Sequence, residues 1–232
     1  MNNQYHRQTL LPEIGEEGQE KLRQARVLIA GVGGLGCPIA LYLTTAGVGR
    51  LGLIDDDVVS LSNLHRQVLY DEADIGQPKA ECAAHHLQQK NSDIELTAYP
   101  MRLTEENAET LIRDYDIVVD GCDNHATRYL ISDVCHRLGK PYVYAAIGSL
   151  SGQVALLCHH PDAPTYRDIY PEEPATNHQA EQGVIGTTPA IIGSIAANEA
   201  LKYITSIPSP LLSHLLTFDL LTMQSHIISL QS

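Results

Sequence analysis

Four glycines fall within six positions, Gly31, Gly33, Gly34 and Gly36, directly behind the apolar run Val27-Leu28-Ile29-Ala30. Few folds accept that arrangement. A short run that is apolar at every residue fits a strand buried on both faces. The segment after the glycines, CPIALYLTTAG, is apolar at helical spacing and closes on Gly47, a residue suited to the left-handed position after a helix. Leu51-Gly52-Leu53-Ile54 reads as a second buried strand, ended by Asp55. Strand, glycine turn, helix, strand and acid together predict a Rossmann-like α/β fold with a mostly parallel sheet. The glycines let the backbone turn tightly and approach a phosphate, and the helix start offers free N–H groups and the positive end of its dipole. Asp55 stands where a ribose hydroxyl would be held.

Such a unit by default suggests a dinucleotide-dependent oxidoreductase. The residues after Asp55 argue against it. Asp55, Asp56 and Asp57 are consecutive, and Ser62-Asn63-Leu64-His65-Arg66-Gln67 brings an arginine and amides close behind. That chemistry suits a triphosphate and a metal better than a nicotinamide. Pro78 marks the start of a helix, which puts Lys79 in its first turn. A cation there opposes the helix dipole. A local rule broken at one place points to function, and a bound phosphate would resolve the conflict. Asp123 comes after the strand Asp116–Asp120 and precedes a helix over Asn124–Leu138. It is either an N-cap or a ligand at the carboxyl end of a parallel strand, where open α/β sheets bind.

The remaining chain reads as one domain, 1–232, with an N-terminal arm and helix over 1–25. Strands are expected at Ile94–Tyr99, Tyr142–Ile147 and Gln153–Cys158, and a helix at Glu105–Arg113. Residues 159–182 carry four prolines and little periodicity, as functional loops do. Thr188 and Pro189 read as cap and first residue of a helix to Thr205. Its Gly193, Ala196, Ala197 and Ala200 form a small face for close packing, and Glu199 and Lys202 read as a surface pair. Strands within 211–232 suggest a terminal hairpin, an antiparallel extension of the sheet.

Net charge is −13, and after Lys140 only Arg167 and Lys202 are basic, which argues against nucleic acid. Five cysteines are scattered without a CxxC pair, which favours a reducing cytoplasm. Met1–Glu13 shows no apolar secretory segment, and the glycines exclude residues 27–49 as a membrane span. Adjacent histidines at 85–86 on a helix, and at 159–160 on a strand end, point apart and do not suggest a metal.

GVGGLG, AGVGRLGLIDDDVVSLSNLHRQ, GQPK and DN-x-x-TR, in this order, resemble the ThiF/MoeB/HesA family, bacterial relatives of ubiquitin-activating enzymes. The resemblance implies ATP- and Mg²⁺-dependent adenylation of the C-terminal glycine of a ubiquitin-like sulfur carrier, of the ThiS or MoaD kind. It implies that Gly31, Gly33, Gly34 and Gly36 form the phosphate turn and that Asp55 and Asp57 sit at the nucleotide. It further implies that Asn63, Arg66, Gln67 and Lys79 contact ATP, and that Asp123 binds Mg²⁺. Tyr5-His6-Arg7-Gln8 fits a YxRQ pattern, implying that Arg7 reaches the terminal phosphates of the other subunit of a homodimer. The chain departs from the family where zinc-binding cysteines often stand. TYRDIYP puts Thr165 and Asp168 there, and Gln179 occupies the usual place of a reactive cysteine. A four-thiolate zinc site is therefore not expected, and sulfur would come from a separate donor. The open alternatives are a peptide or small-molecule carboxylate as substrate, a non-catalytic partner subunit, and an NAD-dependent oxidoreductase.

Overall fold

The computed structural model describes residues 3–171 and 183–230. After α1 (His6–Thr9) and α2 (Gly15–Gln24), the chain alternates strand and helix. β1 (Arg26–Ala30), α3 (Gly36–Ala46), β2 (Arg50–Ile54), α4 (Lys79–Lys90) and β3 (Glu95–Tyr99) form the first half. α5 (Glu105–Arg113), β4 (Ile117–Asp120), α6 (His125–Leu138) and β5 (Tyr142–Ile147) come next. β6 (Ser151–Leu157), α7 (Tyr166–Ile169), α8 (Thr187–Thr205), β7 (His214–Asp219) and β8 (Gln224–Ser229) complete it. The strands form one sheet ordered β3-β2-β1-β4-β5-β6-β7-β8. β1 to β5 are parallel, while β6, β7 and β8 are each antiparallel to their predecessor.

Alternation along the buried strands divides the core. Val27 and Ile29 face a cluster shared with α3, α4 and α8, whereas Leu28 and Ala30 face one shared with α5, α6 and α7. Helices thus cover both faces, as a fully apolar parallel sheet requires. α3 packs on α8 through the small face expected from sequence. A Cβ on Gly193 would lie 2.6 Å from Pro38 Cγ and 2.7 Å from the Leu35 carbonyl.

Between β1 and β4 the chain reverses its direction of travel across the sheet, and there three glycines meet. A Cβ on Gly31 would come within 2.8 Å of the Gly121 carbonyl, and one on Gly36 within 2.0 Å of the Gly31 carbonyl oxygen. A Cβ on Gly121 would lie 2.3 Å from that same oxygen. Backbone packs on backbone, and the crevice of the α/β sheet opens above it.

Local departures from the sequence reading have physical causes. Pro78 is the N-cap of α4, so Lys79 opens the helix. Asn124, not Asp123, caps α6 by accepting from the Thr127 N–H at 2.9 Å. α8 starts one residue earlier than expected, and Thr188 is no cap; its hydroxyl donates to the Ser149 carbonyl at 3.1 Å. Glu199 and Lys202 are not a surface pair. Glu199 is 3% exposed and accepts from Lys202 Nζ at 2.8 Å and from the Ser209 hydroxyl, which satisfies its buried charge. His159 and His160 do not point apart. Their rings stack at 4.5 Å, because Cys158 at φ +55° ends the strand alternation.

Candidate active site

The C-terminal ends of β1, β2, β3 and β4 enclose a pocket of about 360 Å³ above the three glycines. Nine of the twelve residues that the resemblance assigns to the site line it. Gly31, Gly33 and Gly34 form its floor, and Asp55, Asp57 and Lys79 stand at the end of β2 and the start of α4. Arg66, Gln67 and Asp123 complete the group. Three stand elsewhere. Gly36 lies beneath the turn, packed on Gly31. The Asn63 amide oxygen accepts from the Ser60 N–H at 3.3 Å, closing a short 3₁₀ turn over Leu61–Asn63. Arg7 is exposed on α1, outside the pocket of its own chain.

The pocket is built from the backbone outward. Asp55 accepts from the Val32 N–H at 2.7 Å and the Asp57 N–H at 2.9 Å, tying the glycine turn to the end of β2. Burial raises its carboxyl above the usual aspartate value against the opposing pull of those bonds. The Tyr70 hydroxyl donates to the Val32 carbonyl at 2.7 Å, so the turn is held from both sides. Lys79, 5% exposed, donates to Asp57 at 2.9 Å. Arg66 donates to the Ser62 carbonyl at 2.9 Å.

Gln67 is 4% exposed, and its Oε1 is buried without a hydrogen-bond partner. Such orphans are rare in native folds. Gln67 is also one of the residues lining the pocket, and its Nε2 would lie 3.5 Å from a Cβ on Gly33. Asp123 is exposed to the pocket and accepts from the Asn124 amide at 3.3 Å. A carboxylate offered to an open polar pocket fits Mg²⁺, a hard ion usually bound through one or two carboxylates plus substrate phosphates.

The sequence reading missed Met101, Arg102 and Leu103, and gave no role to Arg128, the arginine of DN-x-x-TR; all four also line the pocket. Residues 101–103 lie just beyond β3, and the rule that strand carboxyl ends carry the site would have found them. Arg102 faces Asp56 at 3.6 Å across the rim.

The cysteines, Cys122 in the pocket lining included, are not set up as nucleophiles. Burial pushes Cys37 up to about 12 and Cys158 up to about 11, and raises Cys82, Cys122 and Cys135 as well. Each is therefore a thiol, not a thiolate, at neutral pH. Thr165 and Asp168 are occupied with each other. The Thr165 N–H and hydroxyl donate to the Asp168 carboxylate at 2.7 and 2.8 Å, capping α7. Gln179 lies outside the described residues. Among the described residues no helix is long and apolar enough to cross a membrane.

Sheet order, switch-point crevice and glycine turn define a Rossmann-like nucleotide-binding protein with an antiparallel extension of its sheet. Within that class the chain belongs to the ThiF family, whose model matches residues 5–232. It is 49% identical over 227 residues to a sulfur carrier protein adenylyltransferase of Thermus thermophilus, covering 94% of this chain and 83% of that one. It is 44% identical over 230 residues to the maize adenylyltransferase and sulfurtransferase MOCS3-1. That match covers 98% of this chain and 49% of the maize protein, so the chain spans about half its length. Among solved structures, E. coli MccB with AMPCPP and MccA superposes with a TM-score of 0.87 at 24% identity. That superposition covers 99% of this chain and 71% of MccB, a likeness of fold.

Proposed function

We propose that this chain uses ATP to adenylate the C-terminal glycine carboxylate of a ubiquitin-like sulfur carrier protein. A carboxylate oxygen of the carrier attacks the α-phosphorus. The bond from that phosphorus to the bridging oxygen breaks, pyrophosphate leaves, and an acyl-adenylate remains. The observation that carries this reading is the convergence of Arg66, Gln67, Lys79 and Asp123 on a glycine-floored pocket. Reactions of this kind need positioning and charge stabilisation rather than a protein nucleophile, and the pocket has no thiolate to offer.

In this reading the N–H groups around Gly33 and Gly34 approach the phosphates, and Asp55 and Gln67 face the ribose side. Arg66 and Lys79 hold phosphate oxygens as charge moves onto the leaving group. Mg²⁺ would be held by Asp123 and would neutralise phosphate charge. Arg7 would complete the site from a second copy of the chain in a homodimer. A separate donor would supply sulfur to the adenylate.

ATP–pyrophosphate exchange with purified protein and Mg²⁺, with and without a carrier ending in Gly-Gly, tests this. Exchange that requires the carrier and its free carboxylate is the expected result. Exchange with a peptide or small carboxylate instead would move the substrate class. NAD⁺ binding in place of ATP would overturn adenylation, and binding of neither would leave a non-catalytic subunit.

A further inference from the structure

The last residue of β4 and a residue early in α6 form a buried ion pair at the base of the pocket, where Arg128 reaches the lining. Asp120 is 0% and Arg128 4% exposed. Arg128 Nε donates to Asp120 Oδ2 at 3.0 Å, and the Tyr142 hydroxyl donates to the same oxygen at 2.9 Å. The pair also grips one residue of the intervening turn from both sides. The Cys122 N–H donates to Asp120 Oδ1 at 2.7 Å, and the Cys122 carbonyl accepts from Arg128 Nη2 at 2.6 Å. A weaker bond from Nη2 reaches the Ala145 carbonyl at 3.4 Å, and the guanidinium lies 5.7 Å from the centre of the Tyr144 ring. The next residue in the chain is Asp123.

Burying two charges gains little stability by itself, and an apolar pair of similar volume often serves as well. An apolar pair would, however, leave both polar groups of Cys122 without partners. The ionic pair fixes the peptide planes on either side of Cys122, while the Asn124 cap fixes the far end of the turn. Asp123, exposed between two anchored neighbours, has its carboxylate aimed by the buried pair behind it.

We infer that Asp120 and Arg128 are positioning residues, whose buried pair sets the Gly121–Asn124 turn so that Asp123 presents its carboxylate to a divalent cation on the bound nucleotide. This rests on the adenylation reading for the identity of that nucleotide. The alternative is a pair that only stabilises the β4–α6 junction.

The test uses Mn²⁺ as the probe, titrated by electron paramagnetic resonance into the protein saturated with the non-hydrolysable analogue AMPCPP. Arg128→Lys keeps a positive charge beside Asp120 but lacks the fork that also reaches Cys122. The double variant Asp120→Asn with Arg128→Met removes both charges and strands neither, guarding against a single variant that fails to fold. Loss of partners behind a metal ligand typically weakens metal affinity by roughly tenfold or more. Both variants should therefore weaken Mn²⁺ uptake by about tenfold, a larger factor than any accompanying change in AMPCPP affinity in EDTA. The Mg²⁺ half-saturation of pyrophosphate exchange should rise by the same factor. Variants that melt at lower temperature yet take up Mn²⁺ as the parent does would leave the pair a structural strut and overturn the inference. Absence of exchange in the parent would instead strike the adenylation reading, because the Mn²⁺ titration reads positioning without turnover. A parent–AMPCPP complex that takes up no Mn²⁺ overturns the positioning role outright.

Discussion

Lys79 Nζ lies 2.9 Å from Asp57 Oδ2, and the pair is lopsided: the lysine side chain is 6% exposed, the aspartate 69%. Lys79 is the first residue of α4, where the dipole repels a cation. Asp57 therefore balances a charge that the fold alone would disfavour, and a phosphate entering the pocket can take its place. In Asp57→Ala the buried ammonium loses its acceptor, a loss of about 1–3 kcal/mol. The free protein should melt lower, and Mg²⁺–ATP should raise its melting temperature by more than it raises that of the parent. Equal ATP-induced shifts in the two proteins would show that Asp57 does not stand in for a phosphate. Lys79→Ala should lower kcat/KM for exchange by at least about a hundredfold, the scale for losing a preorganised charge stabiliser.

Much of this arrangement was legible in the sequence because it depends on local rules. Gly47 and Gly139 end α3 and α6 in the left-handed region, as their positions behind apolar helical repeats require. The glycine turn, the acids after β2 and Lys79 all sit in continuous stretches whose spacing sets their placement. What was not legible depends on contacts between segments distant in sequence. The burial of Glu199 is decided by Ser209 and the packing of α8. Arg102 enters the pocket because β3 lies at the sheet edge beside β2. The capping role of Asn124 over Asp123 turned on one residue of register, which sequence periodicity does not fix.

Asp123 should separate chemistry from folding. Its side chain is exposed and accepts one bond, from its own neighbour. Asp123→Ala should shift stability by no more than about 0.5 kcal/mol, as surface substitutions do. Exchange should fall by about two to three orders of magnitude, and added Mg²⁺ should not recover it. A thermal melt beside an exchange assay reads both. Full activity in this variant would remove Asp123 from any metal role.

Asp55 gives a pH dependence with a definite sign. Burial is the largest influence on its carboxyl and raises its pKa in the fold above the ordinary value of 3.8. A raised acid favours folding while protonated, and that contribution disappears as pH rises through the folded pKa. At neutral pH the ionised Asp55 therefore lowers stability. Asp55→Asn removes the charge and keeps one acceptor for the backbone, so it should be more stable than the parent at pH 7. The gap should narrow as pH falls into the acid range where the parent's carboxyl protonates. Urea melts across that range check it, and a gap that widens on acidification would reverse the assignment.

Two glycines with different surroundings should respond differently to the same change. A methyl on Gly36 would meet the Gly31 carbonyl oxygen at 2.0 Å, and backbone cannot move aside as a flexible side chain can. Gly76 has φ +87° but nothing within 4 Å. Gly76→Ala should cost about 1–2 kcal/mol of backbone strain. Gly36→Ala should cost more than about 3 kcal/mol, the upper end of overpacking, and should also widen the phosphate turn. Denaturant midpoints order the two variants, and a Gly36→Ala protein as stable as Gly76→Ala would mean the turn relaxes freely.

Arg7 is exposed on α1 and stands outside the pocket of its own chain. If it acts, it acts on a second copy. Arg7→Ala should leave the melting temperature near that of the parent and depress exchange. Mixing makes the test decisive. In a dimer of one Arg7→Ala chain and one Asp123→Ala chain, the Arg7→Ala subunit keeps its own Asp123. It also receives an intact arginine from its partner, so one of the two sites is whole. Random pairing in a closed two-fold dimer makes about half the molecules mixed, so activity should return to roughly a quarter of the parent's. Were Arg7 to serve its own chain, both sites of the mixed dimer would be defective and activity would not recover. Co-refolding or co-expression of the two inactive variants, with the exchange assay run on the product, distinguishes the cases.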